Sequence, residues 1–308
     1  PTAHLTPATL RPMSESATPT ARDMLRSVLR WTLPILALLV LGPLAYALTT
    51  RLRNGVGGPD ATLLVGQSPL AGLGAGLVAL LLAAAGGYAS LRLTDERTAL
   101  RTAGFTLAWA AWGTGAMDDI YRLAGSPAGI LAVAFEGLLV AAAALALLLL
   151  LLAPEHADAP KPLRSILSPA SLAALGVGAA VTAAATFVTV PNAIRGQAVL
   201  GAIAAAIAGA AAARLATASM DDRPSRLALH LGPVLPAVVA PLVLFAVPGL
   251  AKLDRAAALD ALAALARLQP LDWLAGVLLG APLGLAWVGS MLQSENANAR
   301  SGAAVRHS

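Results

Sequence analysis

The chain has 308 residues and a formal net charge of +5, with 57% hydrophobic and only 12% charged residues. Soluble domains carry about a quarter charged residues, so this composition indicates one membrane domain built for lipid instead of two soluble domains. The cations lie scattered between apolar runs, which argues against nucleic acid as a partner, and the absence of cysteine excludes disulfides and thiolate chemistry.

Residues 1–30 are rich in Pro, Ser, Thr and Ala and include four arginines. Such a composition cannot bury a core, so we expect a disordered cytoplasmic tail that helps to set membrane topology. An organellar transit peptide has a similar composition and is an alternative, although Glu15 and Asp23 count against it. A secretory signal fits less well, because the apolar run from Trp31 is long and no clear cleavage site follows it.

Eight apolar segments follow, with lengths close to the number needed to cross roughly 30 Å of hydrocarbon. The sequence therefore predicts an all-α, polytopic integral membrane protein with about eight transmembrane helices. The segments are 31–50, 68–91, 102–119, 129–153, 168–190, 197–217, 232–250 and 271–292. Four prolines in the seventh segment predict a broken or hinged helix, because proline cannot donate a backbone hydrogen bond.

The charge distribution predicts the orientation of these helices. About two thirds of the 21 Lys and Arg residues lie in the tails and in the connections after the second, fourth and sixth segments. The positive-inside rule places these parts, with both termini, in the cytoplasm. We therefore expect a multi-pass protein of the bacterial inner (plasma) membrane, with an organellar membrane as the alternative. Expected partners are the lipid bilayer and further membrane proteins or a second copy of the chain.

The segments divide into two halves that form a weak repeat. The divisions are an N-terminal tail at 1–30, a first half at 31–153, a cytoplasmic linker at 154–167, a second half at 168–292 and a disordered C-terminal tail at 293–308. The triplets at 95–97 and 221–223 have the pattern acid-acid-Arg and lie 126 residues apart. This spacing predicts two parallel four-helix repeats, as in some transporters, or else reflects chance similarity between alanine-rich helices. Residues 252–268 predict an interfacial helix or an ordinary helical loop.

The segment Leu93-Thr94-Asp95-Glu96-Arg97, followed by Arg101, resembles the Asp-and-Arg loop after the second helix of major facilitator transporters. The resemblance covers fewer than ten residues and lacks the family's loop glycine. It also occurs in a chain with eight expected spans instead of twelve, so no family assignment follows from it. Solvated charges that cap helix ends explain the same residues.

One stretch, residues 104–139, places several polar side chains inside otherwise apolar sequence. In a helix, Asp118 and Asp119 precede Arg122 by four and three residues, so either acid can pair with the arginine. One interpretation is an interfacial ion pair that closes the third span. Another extends the site inward, because Trp109 and Trp112 share a helix face with Asp119.

Glu136 is the main observation in favour of the second interpretation. It lies six residues after Ile130, about 9 Å along a helix that enters the membrane, where an ionised carboxylate is costly to bury. We hypothesise that Glu136 is a protonatable or substrate-binding carboxylate in an outward-facing pocket between the third and fourth spans. The other lining residues would be Asp118, Asp119, Arg122, Trp109, Trp112 and Thr114. The alternative is a protonated Glu136 in an interhelical hydrogen bond.

No motif indicates catalysis, a cofactor or a metal, and the four histidines lie in tails or loops without a suitably spaced second ligand. The sequence therefore does not favour an enzyme, and a lipid-modifying enzyme lacks the acid or histidine cluster that it needs. The repeat, the proline-rich span and Glu136 favour a secondary transporter or permease for an unknown small solute. A non-catalytic subunit or scaffold of a larger membrane complex is the alternative.

Overall fold

The computed structural model describes residues 20–124, 126–152, 165–246 and 263–306, and these residues form helices without any β-strand. The helices are α1 (Ala21–Leu36), α2 (Gly42–Thr49), α3 (Pro69–Leu93), α4 (Glu96–Trp112), α5 (Met117–Ala124), α6 (Pro127–Leu151), α7 (Pro169–Thr189), α8 (Arg195–Ala216), α9 (Arg226–Leu231), α10 (Pro236–Ala246) and α11 (Pro270–Arg306). A π-helical turn, Ala37–Leu41, joins α1 and α2 into one span.

Seven helical spans in the described chain are long and apolar enough to cross a membrane. α4 is not among them, but it also runs from one end of the bundle to the other. It has 17 residues, about 25 Å at 1.5 Å per residue. At its start Glu96 pairs with Arg226, and near its end the Ala111 carbonyl accepts a hydrogen bond from Arg195. α4 packs against α2, α3 and α11, so it is largely buried by its neighbours. The predicted polytopic all-α fold of about eight helices is confirmed.

The two ends of the bundle can be named from the charges that they carry. We call the end with the Arg30–Asp95 and Arg226–Glu96 ion pairs the N-terminal end. The opposite end, with the Arg195–Asp272 ion pair, is the far end. α1 begins at the N-terminal end, and α11 returns there, because its Gln293 lines the same cavity as Glu96. The beginning of α1 and the end of α11 are therefore separated by an even number of crossings.

A Ser-Pro pair begins three of the long helices. The side chains of Ser68, Ser126 and Ser168 accept hydrogen bonds from backbone amides three residues later, at the first turns of α3, α6 and α7. Proline follows each serine at the first helical position, where its missing N–H has no intrahelical partner to lose. The sequence thus fixes where these spans begin.

Helices α8 and α11 pack closely through small residues. On α11, Gly276, Gly280 and Gly284 repeat every four residues, and a Cβ at each would collide with a backbone carbonyl of α8. The contacts are with Ala202, Ile203 and Ile207. Close backbone approach allows extensive van der Waals contact, which membrane helices need because lipid already solvates their apolar side chains.

The seventh segment is broken, as its prolines predict. α9 ends at Leu231, a 3₁₀ turn covers Gly232–Val234, and α10 begins at Pro236. Gly232 lies against α7, where a Cβ would be 3.1 Å from the Ala174 and Leu175 carbonyl oxygens. The break therefore occurs where the chain must pass close to a neighbouring helix.

Several predicted boundaries require correction. Residues 21–30 are helical, not disordered, because a capping box between Thr20 and Asp23 starts α1 there. The predicted tail from 293 is helical as far as Arg306. The third segment begins earlier than predicted, at Glu96 where Asp95 caps α4, and α4 ends at Trp112.

Other predictions concern residues beyond those described. Residues 1–19, most of the linker at 154–167, the end of the seventh segment from 247, and 252–262 of the interfacial segment lie outside the described ranges. The described part of that segment forms a 3₁₀ turn, Ala264–Arg267, whose Ala264 and Ala266 are buried. The parallel repeat stays a prediction.

Candidate functional site

Arg195 and Asp272 form a buried ion pair at the far end. Arg195 Nη2 donates to Asp272 Oδ1 at 2.6 Å, and Nη1 donates to Oδ2 at 3.0 Å. The side chain of Asp272 is 0% exposed and that of Arg195 is 11% exposed. Arg195 Nη2 also donates to the Ala111 carbonyl oxygen at 2.6 Å. These bonds join α8, α11 and α4 at the point where α4 ends.

Gln269 and Thr114 extend this network, because Arg195 Nη2 also donates to Thr114 Oγ1 at 3.4 Å. We call Thr114, Arg195, Gln269 and Asp272 the far-end polar cluster. The Gln269 backbone N–H donates to Asp272 Oδ2 at 2.8 Å, and its side-chain amide donates to the Gly115 carbonyl oxygen. Gln269 Oε1 and Arg195 Nε are buried without a hydrogen-bond partner among the described residues. Unpartnered buried polar atoms are costly, so the cluster is closed but incompletely satisfied.

Glu136 lies inside the bundle, with 1% of its surface exposed. Its Oε2 accepts a hydrogen bond of 3.0 Å from the Leu64 amide, in the loop between α2 and α3. This loop can approach because Gly72 and Gly76 leave room for Leu63, with which a Cβ at either glycine would collide. Glu136 Oε1 is buried without a partner among the described residues. The carboxylate is thus enclosed by protein, and its proposed function stays a hypothesis.

A cavity of about 230 Å³ adjoins Glu136 between α3 and α6. Aliphatic side chains such as Leu80, Leu107 and Leu274 form most of its wall, and Glu136 is the single ionisable side chain among its described lining residues. Leu77 at its edge is 57% exposed, so the cavity adjoins the outer surface of the bundle. This apolar cavity offers no second polar group with which Glu136 could hold a polar solute.

The predicted ion pair on α5 is present between Arg122 and Asp119. Both side chains are partly exposed, at 58% and 31%, which fits the interfacial interpretation. Asp118 Oδ1 is buried without a partner in the described chain. Burial and the negative charge of Asp119 raise the pKa of nearby Asp60, although the Ala116 amide and Arg122 oppose this. Within the described ranges, no group of three acidic or histidine side chains is arranged to hold a metal ion.

Trp109 and Trp112 form a stacked pair, with ring centroids 5.2 Å apart and planes inclined by 24°. Trp109 also meets Tyr46 edge to face at 5.8 Å and covers Gly42, where a Cβ would collide with the indole. These contacts place Trp109 against α2. Neither indole hydrogen-bonds to Glu136, which lies against the α2–α3 loop instead. The structure therefore groups the predicted site residues into four separate environments: Glu136, the α5 acids with Arg122, the tryptophan pair, and Thr114 beside Arg195.

A larger cavity, of about 520 Å³, opens at the N-terminal end between α4, α8, α9 and α11. We call it the basic vestibule; its charged lining residues are Glu96, Arg97, Arg214, Arg223 and Arg226. Arg226 pairs with Glu96. None of the four ion pairs formed among the described residues includes Arg97, Arg214 or Arg223. Three guanidinium groups of the vestibule thus have no acidic partner in the described chain.

The vestibule extends along α11 from Gln293 to Pro282, about 16 Å at the helical rise. Leu100 of α4 and Pro282 are apolar lining residues that are buried. Beyond Pro282, α11 packs closely against α8 through Gly280 and Gly276, and Leu278 is 0% exposed. This dry layer continues along α11 for about 15 Å, to Asp272 of the far-end polar cluster.

The charged residues that distinguish the two ends of the bundle were not identified from the sequence. Arg195 and Asp272 each stand alone beside an apolar segment, a pattern typical of charges at the membrane surface. Their pairing spans 77 positions in sequence, and no local periodicity indicates it. The three vestibule arginines likewise come from distant segments, although the sequence predicts all three on the same side of the membrane.

Eight crossing helices, with a buried ion pair at one end and a basic cavity at the other, define a polytopic α-helical membrane protein. The chain matches no protein-family model and shows no significant similarity to a curated protein or to a solved structure. Its function must therefore be inferred from its own residues.

Proposed function

We propose that the protein is a secondary transporter for a small solute, and that the basic vestibule is the solute's entrance from one side of the membrane. The observation that carries this proposal is the position of the vestibule. It opens between α4 of the first half and α8, α9 and α11 of the second half, and it ends at a dry layer. Transporters bind solutes between two halves and expose the site to one side at a time.

The far-end polar cluster fits the closed side of such a cycle. Arg195 and Asp272 connect α4, α8 and α11, so these helices cannot separate at the far end while the pair is intact. A buried ion pair gains less than its Coulomb energy, because both charges lose their hydration. Its opening to water therefore recovers hydration, and the pair is suited to act as a gate.

Two features support bending of the helices that border the vestibule. Pro282 interrupts the backbone hydrogen bonding of α11 at the vestibule's inner limit. The 3₁₀ turn between α9 and α10 separates a short segment at the vestibule from the rest of that span. Broken helices are common where transporters bind and release solutes. By the positive-inside rule the vestibule would face the cytoplasm.

Cysteine labelling tests the proposal, because the natural chain has no cysteine and each introduced thiol is unique. Ala286→Cys places a thiol in the vestibule, and Thr114→Cys places one in the far-end polar cluster, where Thr114 is 4% exposed. In oriented proteoliposomes, a membrane-impermeant maleimide should label position 286 from the vestibule side and leave position 114 unlabelled from the other side.

Adding Arg195→Gln to each variant should then change the labelling of the two positions in opposite directions. Breaking the ion pair should increase labelling at position 114 and decrease labelling at position 286, because opening the far end closes the vestibule. Arg122→Gln is the matched control, since its ion pair lies at the same end but is exposed. If both labelling rates changed in the same direction, or neither changed, alternating access and the transporter proposal would be rejected.

A second candidate, a non-catalytic subunit of a membrane complex, is favoured by the outer surface of α7. Gly176, Ala180 and Ala184 repeat every four residues along its exposed side, and nothing lies within 4 Å of a Cβ at Gly176. Small residues at this spacing allow another helix to pack closely. Purification in mild detergent followed by mass spectrometry should then yield a stoichiometric partner that Gly176→Leu removes. Recovery of the chain alone would reject this candidate.

A further inference from the structure

The basic vestibule concentrates positive charge from three separate elements. Arg97 lies in the first turn of α4, Arg214 in the last turn of α8, and Arg223 in the loop before α9. Arg226 is matched by Glu96, so three positive charges remain among the described lining residues. Like charges that face one cavity repel each other, and an anion within it would offset that repulsion.

The guanidinium groups are also accessible to a ligand. Arg97 and Arg223 are exposed, and Arg214 is partly exposed. A guanidinium group presents parallel N–H donors that match two oxygens of a carboxylate or a phosphate. Arginine therefore suits an oxyanion better than it suits a spherical ion such as chloride.

The deeper vestibule has a different character. Leu100, Pro282 and Leu285 contribute apolar surface beyond the arginines. A ligand that fills the vestibule would therefore place its charged group near the arginines and any uncharged part toward Pro282. An inorganic cation is unfavourable here, because the charged lining is predominantly positive.

From these observations we infer that the basic vestibule binds an oxyanion, a phosphate or carboxylate group, through Arg97, Arg214 and Arg223. The inference specifies the substrate class and rests on the proposed function for the claim that the bound anion is transported. The oxyanion is either part of a free solute or the head group of an anionic lipid. The recognition chemistry is the same in both cases.

Binding of inorganic phosphate to the purified full-length protein tests the inference directly. The protein would be placed in phosphatidylcholine nanodiscs, and phosphate titrated at constant ionic strength while its protection of Ala286→Cys from maleimide is measured. We expect saturable protection. Arg97→Gln and Arg214→Gln should each weaken it at least tenfold, because each removes one of the unpaired charges.

Arg92→Gln is the matched control. Arg92 lies at the same end of the bundle, in the last turn of α3, is exposed and does not line the vestibule. It should leave the phosphate affinity unchanged. An equal loss in Arg92→Gln would show that phosphate responds to general surface charge, and it would overturn the inference.

A second measurement separates the two sources of the anion. The protein would be purified with mixed phosphatidylcholine and phosphatidylglycerol, and retained lipid counted by native mass spectrometry. If phosphate does not protect but phosphatidylglycerol is retained, and Arg97→Gln or Arg214→Gln releases it while Arg92→Gln does not, the site binds lipid head groups. If neither anion binds, the inference is wrong.

These outcomes are independent of the transport test. Saturable phosphate binding without reciprocal labelling of positions 114 and 286 would uphold the anion site and reject the transporter. Reciprocal labelling without anion binding would uphold alternating access and reject this substrate class.

Discussion

The far end and the N-terminal end of the bundle hold their charges in opposite ways. At the far end Arg195 and Asp272 are buried and paired, and they join three helices. At the N-terminal end Arg97 and Arg223 are exposed and have no acidic partner within the described ranges. Buried charge requires a partner because it has lost its hydration, whereas exposed charge does not. The difference predicts that substitutions of charged residues destabilise the fold more at the far end than at the N-terminal end.

The largest effect is expected at the far end. Asp272→Ala leaves Arg195 buried without its charge partner, which should lower the free energy of unfolding by about 3 to 5 kcal/mol. Thermal or denaturant unfolding in detergent measures the change. Asp119→Ala, which breaks the exposed pair with Arg122, should cost about 1 kcal/mol or less. Similar losses in both variants would contradict the contrast between buried and exposed charge.

The dry layer that separates the two ends should be almost as sensitive. Gly280→Ala drives a Cβ into the Ile203 carbonyl of α8, and such overpacking typically costs about 1 to 3 kcal/mol. Gly289→Ala on the same helix is the control, because nothing lies within 4 Å of its Cβ. It should be neutral or slightly stabilising, since alanine favours a helix over glycine. Equal unfolding midpoints for the two variants would disprove the close packing of α8 and α11.

Substitution of Glu136 tests whether a buried carboxylate between the two ends of the bundle contributes to stability. Glu136→Leu fills the same space but leaves the Leu64 amide without its acceptor, at an expected cost of about 1 to 3 kcal/mol. Glu136→Gln keeps an acceptor oxygen and should cost less in the same unfolding assay. If Glu136→Gln also leaves every measurable flux unchanged, the hypothesis of a protonatable or substrate-binding carboxylate is abandoned.

The smallest effect is expected for Asp95, which caps α4 at the N-terminal end. Asp95→Ala removes its hydrogen bonds with Thr98 and its ion pair with Arg30, at a cost of about 1 kcal/mol. Asp222→Ala, in the other acid-acid-Arg triplet, is an exposed control and should have little effect. If both cost the same, Asp95 has no capping function.

Asp95 also predicts a dependence on pH. Burial raises its pKa, but the Thr98 hydrogen bonds and Arg30 outweigh this and lower the pKa overall. The folded state therefore favours the ionised form, and its contribution is present above pH ~4, the ordinary pKa of aspartate. That contribution should be lost as the pH falls through the lowered pKa. Comparing the acid unfolding of the natural chain with that of Asp95→Asn measures it.

The sequence predicted what depends on local pattern. Run length located the spans, the prolines of the seventh segment predicted that it is broken, and the spacing on α5 predicted that Asp118 or Asp119 pairs with Arg122. The relative rotation of the helices was not predictable, because α6 is apolar on every side except at Glu136 and so has no distinct inward face. For this reason Trp109 and Glu136 were assigned to one pocket but lie against different neighbours.

The sequence also could not predict which single charges pair with residues far along the chain. The bond between Arg195 and Asp272 and the gathering of Arg97 with Arg214 depend on which helices are adjacent, and the sequence does not specify adjacency. The glycine repeat of α11 is typical of a packing face, but the repeat alone does not identify α8 as its partner. Depth in the membrane follows from position along a helix, whereas neighbours follow only from the complete fold.

The fold predicts a bundle that is open at the N-terminal end and sealed beyond Pro282. A cysteine scan along α11 in oriented proteoliposomes tests it most directly. An impermeant maleimide added on the vestibule side should label Cys at Gln293, Ser290 and Ala286, and labelling should stop at Ala281, Leu278 and Leu274. Labelling that continues to Leu274, or protection at Ala286 equal to that at Leu278, would contradict a vestibule closed by a dry layer.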